Sequence, residues 1–460
     1  MNLTVKQVSS LEKIRVNDIG NVSPFQRKTV MRGQFFAYQI AVSSSNNAFL
    51  SVKLESELAK NIEMYSVKNV FMDLPIYDGA DDDYITKEPS LMPDLLQPLK
   101  GVVKLNGDAT AIWINVKVPK DIKPQEYTIT VSLKCSSKNE ETEVKQILYL
   151  DVLDTQIGEQ KTIFTQWFYN DCIANIHNVK MYSSAHWKLI DKYLALAGEL
   201  GINMILTPII TPPVDTEIGL RRPCTQLVKI EKKRNKYLFD FTLLGKWIKL
   251  CKKNGIKYFE MSHLFSQWGL KYAPNILVTK NKKEEYLFGR HTEANCPEYK
   301  EFLVQFLPAL ITYLKEQGVK ENCVFHISDE PYSNHLEIYK AAHDLVKPLI
   351  DGCPIMDAIS RYEFYENGFI DIPVTASDHI EKFLEHNVEN QWVYCCCSQI
   401  KNVGNRFLSM PSYRGRIIGL QMYKFGVKGF LHWGYNFYNS RLSREQINPY
   451  LTTSADKAFP

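Results

Sequence analysis

From about residue 160 to residue 438 the chain alternates short apolar runs with amphipathic stretches, and nothing else in the sequence limits the fold as tightly. The apolar runs are TIFTQWFYND (162–171), INMILTP (202–208), IKYFEMSHLF (256–265), CVFHISDEP (323–331), PIMDAIS (354–360), IDIPVTAS (370–377), QWVYCCCS (391–398) and VKGFLHWGYNFY (427–438). They are short and rich in β-branched or aromatic residues, as buried strands are. Helical patterns separate them, among them 184–200, 242–255, 298–318, 333–350, 378–386 and 411–426, with Gly201, Gly255 and Gly318 as stops. Strands alternating with helices over this length predict an α/β fold, a (β/α)8 TIM-like barrel of about 250 residues or more. After residue 438 the remaining stretch, NSRLSREQINPYLTTSADKAFP, is polar and holds no amphipathic helix. The expectation is therefore a barrel truncated before its final covering helix, with apolar surface left bare or covered in some other way.

The first third of the chain has a different grammar. QFFAYQIAVSS (34–44), FLSVKLES (49–56), AIWINVKVP (111–119), YTITVSLKC (127–135) and VKQILYLDVLD (144–154) alternate or run apolar, with turn residues between them and no helical period. That predicts an N-terminal β-sandwich. The domain division expected is 1–158 for the sandwich and 159–460 for the barrel. Residues 75–101, rich in Pro and Asp, read as an irregular crossing loop. Asp81, Asp82 and Asp83 within it are contiguous rather than alternately spaced, so they read as solvated surface and not as a calcium loop.

Composition closes off several classes. Of 460 residues 45 % are hydrophobic and 23 % charged, and the net charge is only +4. A balance this even gives no argument for nucleic acid, and no stretch approaches a membrane span. The N-terminus lacks the apolar core of a signal peptide. The ten cysteines contain no CxxC pair, which argues for reduced thiols and a cytoplasmic location. Cys395, Cys396 and Cys397 are consecutive; neighbours on a strand point to opposite faces, so the three read as small buried hydrophobes rather than a metal cage.

CVFHISDEP carries the chemistry. A strand that ends in Asp329 and Glu330 delivers two carboxylates to the rim where a barrel keeps its active site. The plainer reading is that Asp329 caps a helix beginning near Pro331. The other strand ends bring Trp167, Tyr169, Asn170 and Asp171; His263, Gln267 and Trp268; His326; Asp357 and Arg361; Tyr394; and His432, Trp433, Tyr435 and Asn436 to the same rim. Aromatic faces stack on the apolar face of a pyranose while amides, acids and imidazoles take its hydroxyls. The candidate substrate-binding set is Trp167, Asp171, His263, Gln267, Trp268, His326, Tyr394, Trp433 and Asn436.

Adjacency of the acids narrows the mechanism. Ordinary glycosidases hold two carboxyls about 5 Å or more apart across the glycosidic bond, whereas neighbouring α-carbons are about 3.8 Å apart. Consecutive acids suit a reaction in which one protonates the leaving oxygen and the other assists a neighbouring group of the substrate, as in hydrolysis of 2-acetamido sugars. Like charges this close also raise one pKa, which would help keep the acid protonated.

HISDEP resembles the Asp-Glu motif of glycoside hydrolase family 123, the β-N-acetylgalactosaminidases, and of a related catalytic domain without assigned substrate. SHLFSQWGLKYAP (262–274), FGRHTEANCPEY (288–299), QWFYNDCIANIHNV (166–179), LTPIITPPVDT (206–216), FLHWGYNFY (430–438), MPDLLQPL (92–99) and WINVKVPKDIKPQEYT (113–128) resemble the same group. The resemblance implies a β-sandwich followed by a (β/α)8 barrel, with Glu330 as acid/base and Asp329 stabilising the acetamido group. It implies a retaining, exo-acting β-N-acetylgalactosaminidase or hexosaminidase, a 2-acetamido glycan as partner and no cofactor. Family members continue past the last strand into Gly-Asp-Gly and Tyr-Pro-Gly segments, which this chain lacks. Two other functions fit the residues: a glycan-binding protein without catalysis, and a metal-dependent hydrolase using His263, Glu260, His326 and Asp329. The second has neither HxH nor HExxH in its favour.

Overall fold

The protein is described by a computed structural model covering residues 3–16, 19–20, 22–45, 47–137 and 140–460. Two five-stranded sheets occupy the N-terminal third. One orders Leu3–Ser9, Phe35–Ser44, Thr110–Lys117, Ile62–Met72 and Ser90–Pro98; the other orders Arg27–Arg32, Glu141–Gln156, Glu126–Ser136, Asn47–Glu55 and Val103–Asn106. The period of two in each strand turns alternate residues inward. Tyr38 lies opposite Ile114 and Ile40 opposite Ile112 on one sheet. They share a core with Leu50, Ile129, Val131, Leu133 and Leu148 of the other.

The segment 75–101 is only partly irregular. Ser90–Pro98 is a strand, antiparallel to Ile62–Met72 with a register shift between Lys68 and Asn69. Its prolines mask it in the sequence, yet proline is tolerated on an outer strand whose free side needs no donor. The remaining stretch reaches across to the C-terminal half, and Asp81 is not solvated surface. Arg414 grips it through Nη1–Oδ1 at 2.7 Å and Nη2–Oδ2 at 2.9 Å.

The second half builds one eight-stranded parallel sheet. In chain order its strands are Ile163–Gln166, Met204–Thr207, Tyr258–Met261, Cys323–Phe325, Met356–Ala358, Ile372–Ala376, Trp392–Tyr394 and Gly429–His432. Each pairs with its sequence neighbours, and the first pairs with the eighth. The fourth and fifth meet through a single parallel bridge, Phe325 to Ile355. The sheet is thus a nearly closed barrel. Helices Ser184–Glu199, Thr242–Lys253, Pro297–Glu316 and Leu336–Val346 bury Leu194, Trp247, Phe306, Leu310 and Tyr339 against it. Two hairpins unforeseen in the sequence, Lys229–Lys233 with Lys236–Asp240 and Ile276–Lys280 with Lys283–Phe288, follow the second and third strands in the chain and join into a four-stranded sheet of their own.

Beyond the eighth strand the described residues form no α-helix, only a short 3-10 segment at Arg441–Ser443. They fold over the C-terminal rim instead. The Leu442 amide donates to Asp215 Oδ1 at 3.1 Å, and the Phe459 ring lies 5.2 Å from Trp433. Among the described residues no helix is long and apolar enough to cross a membrane.

Candidate active site

The fourth strand stops at Phe325, and the chain continues extended through His326, Ile327 and Ser328 into the acid pair. The next helical turn begins at Ser333 with Tyr332 as its cap, so Asp329 caps nothing. Proline after Glu330 disfavours ordinary helical backbone there. Glu330 instead takes φ +48°, a left-handed conformation rare for a residue with a side chain. Such strain costs on the order of 1–3 kcal/mol and collects at functional sites. A hydrogen bond donated by the Glu330 amide to the Ala358 carbonyl, 3.1 Å, holds it in place.

The two carboxyls have separate partners. Gln267 Nε2 donates to Asp329 Oδ2 at 2.7 Å, and Gln267 Oε1 accepts from the Asp215 amide at 2.7 Å. Tyr394 donates its hydroxyl to Glu330 Oε1 at 2.6 Å, and Trp268 Nε1 reaches Oε2 at 3.3 Å. Asp329 is 5 % exposed. Burial first, and the charge of Glu330 second, push its pKa well above the usual carboxylate range, against the pull of His326 and Gln267. The like-charge effect foreseen for the pair therefore acts on Asp329, the deeper member.

A cavity of about 310 Å³ opens over these groups. Of the residues named from sequence, Trp167, Gln267, Trp268, Asp329, Glu330, Tyr394 and Trp433 line it. Tyr169, also placed on the rim from sequence, lines it too, with Asp215, Arg441, Cys396, Cys397 and Tyr77. Tyr77 comes from the N-terminal third and donates its hydroxyl to the Ala458 carbonyl, a contact no local pattern could disclose. Asp215 was legible only as part of PPVDT.

Four of the candidate substrate-binding residues, Asp171, Asn436, His263 and His326, lie behind the pocket wall. Asp171 is the second residue of the short helix Asn170–Ile176, which starts three residues after the first strand and turns the carboxylate inward. There Arg222 holds it bidentately, at 2.6 and 2.8 Å. Arg222 also sits over the Tyr169 ring at 4.7 Å, so the pair shapes the pocket through Tyr169. Asn436 is spent on backbone: its Oδ1 accepts from the Tyr169 amide at 2.9 Å and its Nδ2 donates to the Tyr169 carbonyl at 3.0 Å. His326 and His263 are fully buried beneath the acids.

His326 bridges two carboxylates, Asp357 from Nδ1 and Glu260 from Nε2, each at 3.1 Å. Burial alone would depress its pKa, but the hydrogen bonds and charges of Asp357 and Glu260 outweigh that and raise it to about 9. It is an imidazolium at neutral pH and donates from both nitrogens. The network extends outward: Glu260 accepts from Thr165 and from Trp167 Nε1, and Asp357 accepts from Tyr339 and from the amides of Ile327 and Ser328. Trp167 is thereby fixed by the same acid that charges His326. His263 stacks on His326 with centroids 4.3 Å apart and planes 21° from parallel. Burial and the neighbouring charge keep it neutral.

The ligating atoms of His263, His326 and Asp357 lie within 4.8 Å of one another. Their directions suit an ion poorly. Two stacked rings aim their in-plane lone pairs side by side rather than at one point, and both nitrogens of His326 are already engaged.

An acid pair on the C-terminal rim of a parallel barrel, walled by tryptophan and tyrosine, is chemistry suited to cleaving a glycosidic bond. Residues 167–460 match the family described as Glycoside hydrolase 123, catalytic domain, and the chain belongs to that family. A solved family 123 glycoside hydrolase from Clostridium perfringens, described in connection with glycolipid glycan hydrolysis, superposes with a TM-score of 0.74 at 16 % identity, over 96 % of this chain and 80 % of that one. A Bacteroides uniformis β-glucuronidase aligns at 12 % identity over 96 % of this chain and 46 % of that one, with a TM-score of 0.35. No curated protein matches the sequence.

Proposed function

We propose that the protein is a retaining, exo-acting β-N-acetylgalactosaminidase or close hexosaminidase that uses the 2-acetamido group of its own substrate as nucleophile. The observation that carries this is the acid pair itself. Asp329 and Glu330 are consecutive, enter one cavity and are held by different partners. The strained backbone at Glu330 turns one carboxyl toward Tyr394 and Trp268 and leaves the other against Gln267. That arrangement suits a division of labour. Glu330 protonates the leaving oxygen and later takes a proton from water. Asp329 accepts from the acetamido N–H as its oxygen attacks the anomeric carbon, and stabilises the oxazolinium that forms. Trp167, Trp268 and Trp433 offer ring faces for the pyranose. The cavity volume sits at the small end of ligand pockets, which favours a terminal sugar.

In this reading His326 sets the charge beneath Asp329. An imidazolium there favours the carboxylate form that the acetamido N–H requires, working against burial and Glu330. The test is turnover of an aryl N-acetyl-β-galactosaminide and its gluco epimer. Asp329→Asn and Glu330→Gln should each lower the rate by about 10²–10⁴-fold, and the Glu330→Gln loss should shrink as the leaving group improves. Intact protein inactive on both epimers would contradict the reading.

A further inference from the structure

The fifth strand ends at Ala358, and three residues further on Arg361 stands exposed on the same rim. Two backbone bonds fix the turn that carries it. The Glu330 amide donates to the Ala358 carbonyl at 3.1 Å, and the Ile359 amide donates to the Val374 carbonyl at 2.8 Å. The end of the fifth strand is thus tied to the acid pair, and Arg361 lines a second cleft of about 230 Å³ that also contains Glu330. Glu330, Tyr394, Cys396 and Ser398 line both this cleft and the sugar cavity. Asp329, Trp167 and Trp433 line the sugar cavity alone, whereas Tyr332, Arg361 and His379 line the second cleft alone. Glu330 is therefore the acid at the boundary of the two. A hollow beyond Trp433 and Phe459 also meets the sugar cavity, but neither acid lines it.

In the reaction proposed above, Glu330 gives its proton to the glycosidic oxygen as the bond from that oxygen to the anomeric carbon breaks. The released sugar lies over Asp329, so the leaving residue departs on the far side of Glu330. The groups waiting there suit a second sugar. The Tyr332 ring is 54 % exposed and offers a face to a pyranose. His379 binds Asp378 Oδ1 through Nδ1 at 2.8 Å, which leaves Nε2 for a hydroxyl. Arg361 has neither an ion pair nor a side-chain hydrogen bond among the described residues, and Glu363 feels its charge without pairing with it. An unpaired guanidinium presents a planar fork of donors that matches an oxyanion. Glu330 is the one carboxylate lining the cleft, and in its role as acid it carries its proton when the leaving residue is seated. We propose that this second cleft seats the leaving residue of the substrate, and that Arg361 selects a sugar bearing an anionic group, a carboxylate or a sulfate ester. The inference rests on the acid role proposed for Glu330, and adds to it which sugar the 2-acetamido residue is cleaved from.

The probes are methyl β-galactoside, its 6-sulfate and the corresponding methyl galactosiduronate, titrated into the full-length protein and followed by NMR. At least one of the two anionic sugars should bind about 10-fold or more tightly than the neutral one, as a hydrogen-bonded charge implies. Preference for the uronate alone identifies a uronic acid, and preference for the sulfate alone a sulfated sugar. Arg361→Ala should abolish the preference. The comparison of the three sugars on the unsubstituted protein needs no variant to fold. Equal binding of all three, binding of none, or a preference that survives Arg361→Ala would overturn the proposal. These readouts need no turnover. Hydrolysis of aryl glycosides without an anionic preference would leave the glycosidase reading standing and remove the subsite; an Arg361-dependent preference in a protein inactive on both aryl epimers would do the reverse.

Discussion

Gln267 performs two tasks at the edge of one carboxylate. Its oxygen is locked by the Asp215 amide, which leaves its nitrogen aimed at Asp329 Oδ2. That bond favours the charged form of Asp329 against burial and Glu330. Its removal must push the Asp329 pKa further up, so the charged form arises only at higher pH. Gln267→Ala should therefore move the acidic limb of the kcat/KM profile to higher pH. It should also lower the maximum by about 10- to 100-fold, as loss of a 1.5–3 kcal/mol charged hydrogen bond implies. A pH–rate profile with an unmoved limb would show that Asp329 does not govern it. At this scale the sequence was informative where chemistry was local: SDEP discloses the adjacency on which the proposed mechanism rests. It was uninformative where a side chain turned on a few degrees of backbone. Asp171 looked like a rim residue, yet a helix starting three residues after the strand turns it onto Arg222. His263 and His326 sit one layer below the mouth, a displacement smaller than the uncertainty with which any strand end is read from a pattern.

At the scale of elements, the barrel strands are held from inside by a charged bridge as well as by their ladders. Glu260 from the third strand, His326 after the fourth and Asp357 from the fifth form one buried row. His326 is raised in the folded state to about 9, above the usual histidine value. Its contribution is complete below about pH 6.5 and is lost as pH rises through about 9. Thermal unfolding should therefore show a falling midpoint from neutrality toward pH 10. His326→Gln should flatten that fall while lowering stability at pH 7 by about 3–5 kcal/mol, the range for leaving a buried charge unpaired. A midpoint that stays level from pH 7 to 10 in the parent protein would contradict an imidazolium at this position. The strands themselves were legible because burial on both faces makes them continuous apolar runs. The two hairpins were not: KIEKK and its partners are polar and half exposed, and they pair only with each other.

At the scale of the whole molecule, the pocket belongs to both halves. Residues 73–89 leave the N-terminal sheets and strap the C-terminal rim. Asp81 is bound to Arg414, Tyr84 donates to the Ile400 carbonyl at 2.6 Å, and Ser409 donates to the Pro75 carbonyl at 2.6 Å. Tyr77 enters the cavity from that strap. Arg414 holds the Asp81 carboxyl at about 2, far below its ordinary value, chiefly by direct hydrogen bonding, so the clamp persists through the pH range of any activity assay. Arg414→Ala should free the strap, expose 73–89 to limited proteolysis and lower kcat/KM by up to about 100-fold through misplacement of the wall. Unchanged proteolysis and kinetics would show that the strap is held by its other contacts. No sequence pattern reports this crossing, because its partners are separated by more than three hundred residues. The claim on which the account rests is that the substrate's acetamido oxygen is the nucleophile. A series of aryl 2-acetamido-β-galactosides with one, two and three fluorines on the acetyl methyl tests it most directly. The account predicts that kcat/KM falls steeply with each fluorine as the carbonyl oxygen loses nucleophilicity; a rate indifferent to fluorination would contradict it.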